Sequence, residues 1–421
     1  MLELIRDDPK RFKADIKKRH QDPAIIDTIL KLDEEWRSHK GESDELRAKR
    51  NKISLQINEL KKAGKDASKV IKEASLIPDK LKGLEEDMKK IEAQLSEALN
   101  HVPNPLDPKV PPGKDATQNV EIRKWGKPKK FDFELKTHSQ LAEELGLADF
   151  EQGAVVAQRG FNYLYGQLAL LDLALQRYGV DFVLKHGFTP VMPPMLLNRE
   201  TLAGAVDLSA FKEVIYKVEN EDLYLIGTAE HSLVTSQRNK LLQEKELPLK
   251  ICAVTPSFRK EIGAHGVDTK GLFRMHQFNK VEQVVFCKPE ESGKMLEEME
   301  KITEEFFKSL EIPFRVIELC AGDLGAKFAK QYDIEAWSPR QNTYTEVTSA
   351  GNCTDYQARR LNIKYLTATG KRYPHVLNNT MVATSRTMVA ILENYQNKDG
   401  TVTVPKVLQK YTGFKVIGKK K

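Results

Sequence analysis

The sequence holds little of what several common protein classes need. Four cysteines in 421 residues, Cys252, Cys287, Cys320 and Cys353, stand more than thirty positions apart with no Cys-x-x-Cys pair. That spacing argues against a disulfide framework and a zinc ribbon, and reduced thiols in a cytoplasmic protein are the expectation. No stretch approaches the roughly twenty consecutive apolar residues that span a bilayer, so no membrane partner is expected. The first residues, Met1-Leu2-Glu3-Leu4-Ile5-Arg6-Asp7-Asp8, bring acids early and lack an apolar signal core, which argues against a secretory or transit segment. Charge is only mildly one-sided. A formal +7 and a pI near 8.9 lean towards a polyanionic partner without deciding one.

What is present divides into unlike parts. The length suggests two or three domains, and 40% hydrophobic residues suffice for a sizeable core. From Asp27 to about Lys62 there is no proline, and Leu46, Ile53 and Leu60 recur every seven residues with Ile57 between. Beyond Ala63-Gly64-Lys65-Asp66, a second segment places Leu84, Met88, Ile91, Leu95 and Leu99 at seam spacing. Two such segments around a glycine-containing break predict an antiparallel helical hairpin over residues 1–105, with Pro78 kinking or delaying the second helix. Its tip is basic: nine lysines and arginines from Arg47 to Lys72, including Lys49, Arg50, Lys52, Lys61, Lys62 and Lys65, face only Glu59 and Asp66. This is either a solvated coiled-coil surface or an arm that grips a phosphate backbone.

Residues 106–125 open with a proline-dense stretch that forbids helix and central strand, and read as a linker. A body is expected over 126–421. Leu164, Leu168, Leu171 and Leu175 mark an amphipathic helix from Phe161 to Tyr178. Strand-like runs recur at Leu223–Ile226, Lys250–Phe258, Gly271–Phe286, Tyr332–Ala336 and Tyr344–Ser349, with a helix over Glu291–Leu310. Many strands with occasional helices predict an α+β body: an antiparallel sheet flanked by helices.

The most informative string is Ser257-Phe258-Arg259-Lys260-Glu261, a polar loop from Ile262 to Lys270, then Gly271-Leu272-Phe273-Arg274-Met275-His276-Gln277-Phe278-Asn279-Lys280-Val281-Glu282. As a hairpin it sets Arg259 and Glu261 on one strand and Arg274, His276, Phe278, Lys280 and Glu282 on one face of the other. Guanidinium groups, an aromatic plate and carboxylates together suit a polyphosphate, a flat base and an ammonium group. Three further strings accompany it. Leu225-Ile226-Gly227-Thr228-Ala229-Glu230 ends a strand in a Thr-x-Glu turn, equally readable as a helix N-cap with an early acid or as a seat for an ammonium-bearing substrate. Tyr344-Thr345-Glu346-Val347-Thr348-Ser349 is a surface strand or a carboxylate and hydroxyl pair fit for Mg²⁺. Leu377-Asn378-Asn379-Thr380 leads through Met381-Val382-Ala383 into Thr384-Ser385-Arg386, where a helix begins. A cation in a first helical turn opposes the helix dipole, and a bound phosphate supplies the compensating reason.

In this order the strings resemble the seryl-tRNA synthetase family of class II aminoacyl-tRNA synthetases over nearly the whole chain. Gly187-Phe188-x-x-Val191-x-x-Pro194 is similar to motif 1 (about 187–195), residues 257–282 to motif 2, and 377–396 to motif 3. Ala350 and Gly351 depart from the family segment that runs on to Asn352-Cys353-Thr354-Asp355, and Asn379-Thr380 and Thr384-Ser385 stand where many bacterial members have Gly-Ser and Val-Gly. The resemblance implies activation of L-serine with ATP and transfer to tRNA-Ser, with tRNA-Sec left open as a second substrate, by a homodimer. It implies Arg259, Glu346 and Arg386 as catalytic, and Thr228, Ala229, Glu230, Arg259, Glu282 and Thr380 around serine. ATP would meet Arg259, Lys260, Glu261, Arg274, Met275, Phe278, Glu346, Val347, Thr348, Ser349 and Arg386, with Mg²⁺ on Glu346 and Ser349. A non-catalytic paralogue that binds RNA or protein is the competing reading. It would tolerate loss of Arg259, Glu346 or Arg386, and all three are present.

Overall fold

The structure, a computed structural model, describes residues 1–206, 214–261 and 271–418. The chain divides into two compact units, Met1–Pro103 and Asn104–Lys421. In the first, helices α1 (Leu2–Asp7), α2 (Pro9–Lys18), α3 (Ala24–Lys62), α4 (Ser68–Ser75) and α5 (Ile77–Asn100) form a helical hairpin. At about 1.5 Å per residue, the 39-residue α3 is roughly 60 Å long. Near one end Ile5, Phe12, Ile16, Ile26 and Ile29 pack with Leu95 and Leu99. Farther along, Leu46, Ile53 and Ile57 of α3 meet Val70, Ala74, Ile77 and Leu81. Pro78 lies in the first turn of α5, where the missing N–H has no intrahelical partner to lose. It therefore delays the second long helix without kinking it. Of the basic tip, Arg47 and Lys49 are held by Glu85 at 2.8 Å and Glu73 at 2.6 Å.

The second unit is built on one sheet. Strands β1 (Val120–Trp125), β2 (Thr189–Pro190), β3 (Leu249–Phe258), β4 (Gln277–Cys287), β5 (Phe314–Glu318), β6 (Lys330–Ser338), β7 (Thr343–Asn352) and β8 (His375–Ala383) lie in the order β1-β5-β6-β7-β8-β4-β3-β2. Every joint is antiparallel except β2 with β3. Strand alternation then divides β4 between two cores. Val281, Val285 and Cys287 enter the main core, shared with Leu168, Leu171 and Leu175 of α6 (Gly166–Leu184) and Met299, Ile302 and Phe306 of a helix over Ser292–Ser309. Val284 and Phe286 enter a smaller core on the opposite face with Ala229 and Leu233 of a short helix, Ala229–Thr235. Lys280 and Glu282 share the parity of Val284, which sets the polar end of β4 on that second face.

The segment expected as a linker is part of this unit. Proline keeps it out of helix, as anticipated, but the extended chain then docks. Leu106 is buried against Ile317, Leu319 and Phe328, Asn104 Nδ2 donates to the Cys353 carbonyl at 2.8 Å, and residues 120–125 form the sheet edge. Helix α6 starts at Gly166, five residues later than its leucine spacing suggests, because Tyr163–Leu164 pairs with Ala148–Asp149 as a short ladder. Among the described residues no helix is long and apolar enough to cross a membrane.

Candidate active site

The expected hairpin is present, with strands shorter than anticipated. Strand β3 ends at Phe258 and β4 begins at Gln277, so Arg259, Glu261 and Arg274 stand on the connection beyond the ladder. The loop expected from Ile262 to Lys270 lies outside the described residues. Glu261 adopts a left-handed φ of 49°, which breaks strand alternation. His276, just before β4, also leaves the common face: its amide bonds to the Gly160 carbonyl, its ring stacks on Phe161 at 5.2 Å and it meets the Tyr216 hydroxyl at 2.5 Å.

At the polar end of the sheet lies a cavity of about 420 Å³ lined from five directions. The hairpin gives Arg259, Glu261, Arg274, Met275, Phe278 and Lys280; β7 gives Glu346 to Ser349; β8 and the helix after it give Thr380, Ser385 and Arg386. The Thr-x-Glu turn contributes Thr228 and Glu230, and a loop adds Gly325 to Phe328. Four consecutive residues of β7 reach one cavity because its pairing with β6 slips by one: Ile334 faces Thr348, but Glu335 faces Glu346. Such a bulge turns an alternating strand so that neighbours share a surface. A second slip on β8, between Thr380 and Val382, leaves Thr380 opposite Glu282 and Ala383 opposite Lys280.

Glu282 is the hub. Its side chain is fully buried, and Oε1 accepts from Thr228 Oγ1 at 3.0 Å, Thr380 Oγ1 at 3.1 Å and the Lys280 ammonium. Its other oxygen, Oε2, is buried without a hydrogen-bond partner. A fully buried carboxylate oxygen with no donor costs free energy unless something arrives to fill it. Burial pulls the Lys280 ammonium below its ordinary value, against the pull of Glu282. Arg259 Nε donates to the Gly227 carbonyl at 3.0 Å, and its guanidinium lies 5.5 Å from the Phe278 ring centroid. Burial lowers the Arg259 pKa, and the Arg386 charge adds to that.

Across the cavity Arg386 Nη1 lies 2.9 Å from Glu346 Oε1 and 3.2 Å from its backbone carbonyl, and the guanidinium covers Phe273 at 5.1 Å. The helix it belongs to runs Thr384–Asn394 with Ala383 as N-cap. The Thr384 hydroxyl donates to the Asn279 carbonyl at 3.2 Å. Arg386 still occupies the first turn. On the opposite side Thr228 does cap its helix, accepting from the Glu230 amide at 3.3 Å. The N-cap reading of that turn therefore holds.

Three candidates do not line the cavity. Glu282 is buried behind its wall, held by Thr228, Thr380 and Lys280, which do line it. Ala229 is packed in the smaller core, and the Lys260 ammonium lies over the Tyr216 ring at 5.7 Å. Conversely, the cavity includes residues that motif reading left unassigned: His231, Phe273, Lys280 and Lys327. Burial and nearby lysine and arginine charges hold His231 neutral, its pKa lowered to about 3 despite the adjacent Glu230. Burial would raise the Glu230 carboxyl, but Lys327, His231 and a 2.8 Å hydrogen bond from Gln357 outweigh it and hold it below the usual range. Behind Ser349, Asp333 is pushed up by burial and by the charge of Glu346. Asp333 gave no signal in sequence, being one acid in a β-strand of mixed composition. Glu346 and Ser349 offer two hard oxygens to the cavity, a fit for Mg²⁺, which takes few protein ligands and completes its shell with phosphate and water. Among the described residues no group of three or more His, Cys, Asp or Glu is placed to hold a metal by itself.

Comparison with known proteins agrees with this geometry. Residues 2–106 match the family described as the seryl-tRNA synthetase N-terminal domain, and residues 215–395 the tRNA synthetase class II core domain (G, H, P, S and T). A serine--tRNA ligase of Methanocella arvoryzae is 49% identical over 97% of this chain and 98% of its own length. One from Pyrococcus furiosus is 47% identical over 99% and 97%. The crystal structure of seryl-tRNA synthetase from Pyrococcus horikoshii complexed with ATP superposes with a TM-score of 0.94 at 45% identity, covering 100% of both chains. That of the cytoplasmic serine-tRNA ligase from Naegleria fowleri in complex with AMP gives 0.86 at 35%, over 98% and 96%. The chain belongs to the seryl-tRNA synthetase family, a helical N-terminal domain followed by a class II synthetase core.

Proposed function

We infer that this chain activates L-serine with ATP, forming seryl-adenylate and pyrophosphate, and transfers serine to the 3′ end of tRNA-Ser. The observation that carries the assignment of the amino-acid subsite is Glu282, with three donors on Oε1 and none on the buried Oε2. A small ligand with an ammonium and a hydroxyl supplies the missing donors. Serine carries its ammonium on Cα and its hydroxyl on the adjoining Cβ. Arg259, the partly desolvated cation between this hub and Phe278, is then placed to hold the serine carboxylate against the α-phosphate. Activation is in-line attack of that carboxylate on the α-phosphorus, so alignment and charge neutralisation do the catalytic work.

The other end of the cavity takes the nucleotide. Phe278 and Met275 offer an apolar surface for adenine, with Glu261 and Arg274 at its edge. Five cationic side chains line the cavity (Arg259, Arg274, Lys280, Lys327, Arg386) against three acidic ones (Glu230, Glu261, Glu346), an excess that favours a polyphosphate. Arg386 is placed to exchange its contact with Glu346 for the γ-phosphate. Mg²⁺ would then be held by Glu346 and Ser349, where it supplies charge neutralisation to the phosphates.

Homodimer formation is supported by the apolar surface near motif 1. Met192 is fully exposed, and Leu170, Leu173, Tyr163 and Tyr165 stand out from the same region; such patches mark protein interfaces. Sedimentation showing an active monomer would overturn it.

For the helical hairpin, the RNA reading rests on Arg50, Lys52, Lys61, Lys62 and Lys65, all exposed. Arg47 and Lys49 are drawn towards glutamates and contribute less. Replacing Lys61, Lys62 and Lys65 together by alanine is expected to raise the KM for tRNA and to flatten the salt dependence of tRNA binding by roughly two to three contacts. Serine-dependent pyrophosphate exchange should be unchanged. Equal loss of both activities would show that the hairpin serves folding instead.

The pocket assignment is tested by Thr380→Ala. Losing the hydroxyl that orders Glu282 is expected to raise the serine KM and weaken rejection of alanine, with ATP affinity little changed. A site built to bond a substrate hydroxyl rejects its absence by up to about 10⁴-fold. An unaltered serine-to-alanine ratio of kcat/KM would remove Thr380 from the serine site.

A further inference from the structure

Beside the serine hub the cavity wall carries a second buried ion pair that the synthetic reaction does not call for. Lys327 lines the cavity, and its ammonium contacts Glu230 Oε1, which also accepts from Gln357 Nε2 at 2.8 Å. Side-chain exposure is 18% for Lys327 and 4% for Glu230, so the pair is largely desolvated. The lysine has a built seat. Its ammonium lies 4.7 Å from the centroid of the Phe328 ring, within reach of a cation–π contact. The ring in turn packs against Gly351, where any Cβ would fall on its edge atoms. Gly351 is one of the two positions at which the strand after Glu346 departs from its family pattern. The departure has a physical consequence: glycine admits Phe328, and Phe328 seats Lys327.

Charge defines what the seat does. Lys327 pairs directly with Glu230 and the neutral His231 adjoins it, with Lys280 and Cys353 also within electrostatic reach, so Glu230 and Lys327 together carry no net charge. Glu282 is matched in the same way by Lys280. Both carboxylates of the amino-acid subsite are thus neutralised by the protein before a ligand enters.

We infer that Lys327 is a specificity-determining residue of the amino-acid subsite: paired with Glu230 and seated on Phe328 over Gly351, it cancels the carboxylate's charge, so that the subsite takes a neutral hydroxyl side chain and rejects a cationic one of equal size. Without it, Glu230 would attract a second ammonium in addition to the α-ammonium of the amino acid. The discriminated ligand is L-2,3-diaminopropionate, which places an ammonium where serine has its hydroxyl. In a low-dielectric pocket a second cation that finds no free counter-charge carries an uncompensated desolvation cost, which excludes it even where its shape fits.

The inference rests on the serine reading above, and one experiment separates the two. ATP–pyrophosphate exchange is measured on the full-length protein with serine and with L-2,3-diaminopropionate, for wild type, K327M, K327R and E230Q. Wild type is expected to prefer serine. K327M should raise the serine KM by about tenfold with the ATP KM within about twofold, and lower the serine-to-diaminopropionate ratio of kcat/KM by about tenfold or more. K327R, which keeps the charge, should hold the ratio near wild type. E230Q leaves Lys327 unmatched and must move the ratio the opposite way, further against diaminopropionate; this arm stands even if K327M does not fold. Ratios unmoved in folded K327M, or in E230Q, overturn the role of Lys327. Absence of serine-dependent exchange in the wild type refutes the serine reading instead.

Discussion

The arrangement depends on one buried carboxylate. Glu282 lies on a central strand, covered on every side, and draws two threonine hydroxyls and a lysine onto a single oxygen. Burying an unpaired carboxylate costs several kcal/mol, so its partners are not free to wander: Thr228, Thr380 and Lys280 are fixed by the group they satisfy. Those three come from a helix cap, a neighbouring strand and the hub's own strand. The hub therefore ties the Thr-x-Glu turn to the sheet. Register does the rest. A one-residue slip of β8 against β4 would turn Thr380 away from Glu282, and the bulge between Thr380 and Val382 is what lets β8 present Thr380 to the cavity and continue into the helix bearing Arg386.

The same economy of charge recurs at the nucleotide end. Arg386 and Glu346 satisfy one another across the cavity mouth, so neither is left unmatched before ATP arrives. Each has a proposed partner on the substrate: phosphate for the guanidinium, a phosphate-bound cation for the carboxylate. The pair is thus an exchange site, its electrostatic energy transferred to the ligand. Glu346 and Thr380 are held by strands and Arg386 by a helix start, and preorganisation of this kind is where electrostatic catalysis draws its strength.

Much of this was legible in the sequence, and what was not follows a pattern. Helix and strand placement came through because leucine seams and strand runs are long and periodic, as in α3 and β4. The ends of the hairpin did not, because Glu261 takes a left-handed conformation that no local pattern announces, and His276 turns out of the expected face onto Phe161, more than a hundred residues away in sequence. Proline density at the start of 106–125 kept that stretch out of α-helix, yet it carried no information on whether an extended segment docks; Leu106 and the edge strand depend on contacts about two hundred residues away. Within the site, Arg259, Glu261, Arg274, Glu346 and Arg386 line the cavity, Glu282 lies behind its wall, and Ala229 and Lys260 turn elsewhere, since adjacency in a string says nothing of direction beyond a regular element. Lys327 was invisible for the same reason. It stands in a loop, and its meaning comes only from Glu230, Phe328 and Gly351 gathered around it.

The central claim is that Glu282 is an acceptor completed by serine as well as a brace for the fold. Glu282→Gln keeps the volume and one carbonyl acceptor but removes the charge. Its most direct test is a pair of equilibrium titrations on the folded variant, one with ATP and one with a non-hydrolysable seryl-adenylate analogue. The account predicts that ATP affinity stays within a few-fold of wild type while analogue affinity falls by about 100-fold or more, the cost of leaving the analogue's ammonium and the Lys280 cation without their common counter-charge. Equal loss for both ligands, or analogue affinity unchanged, would contradict it.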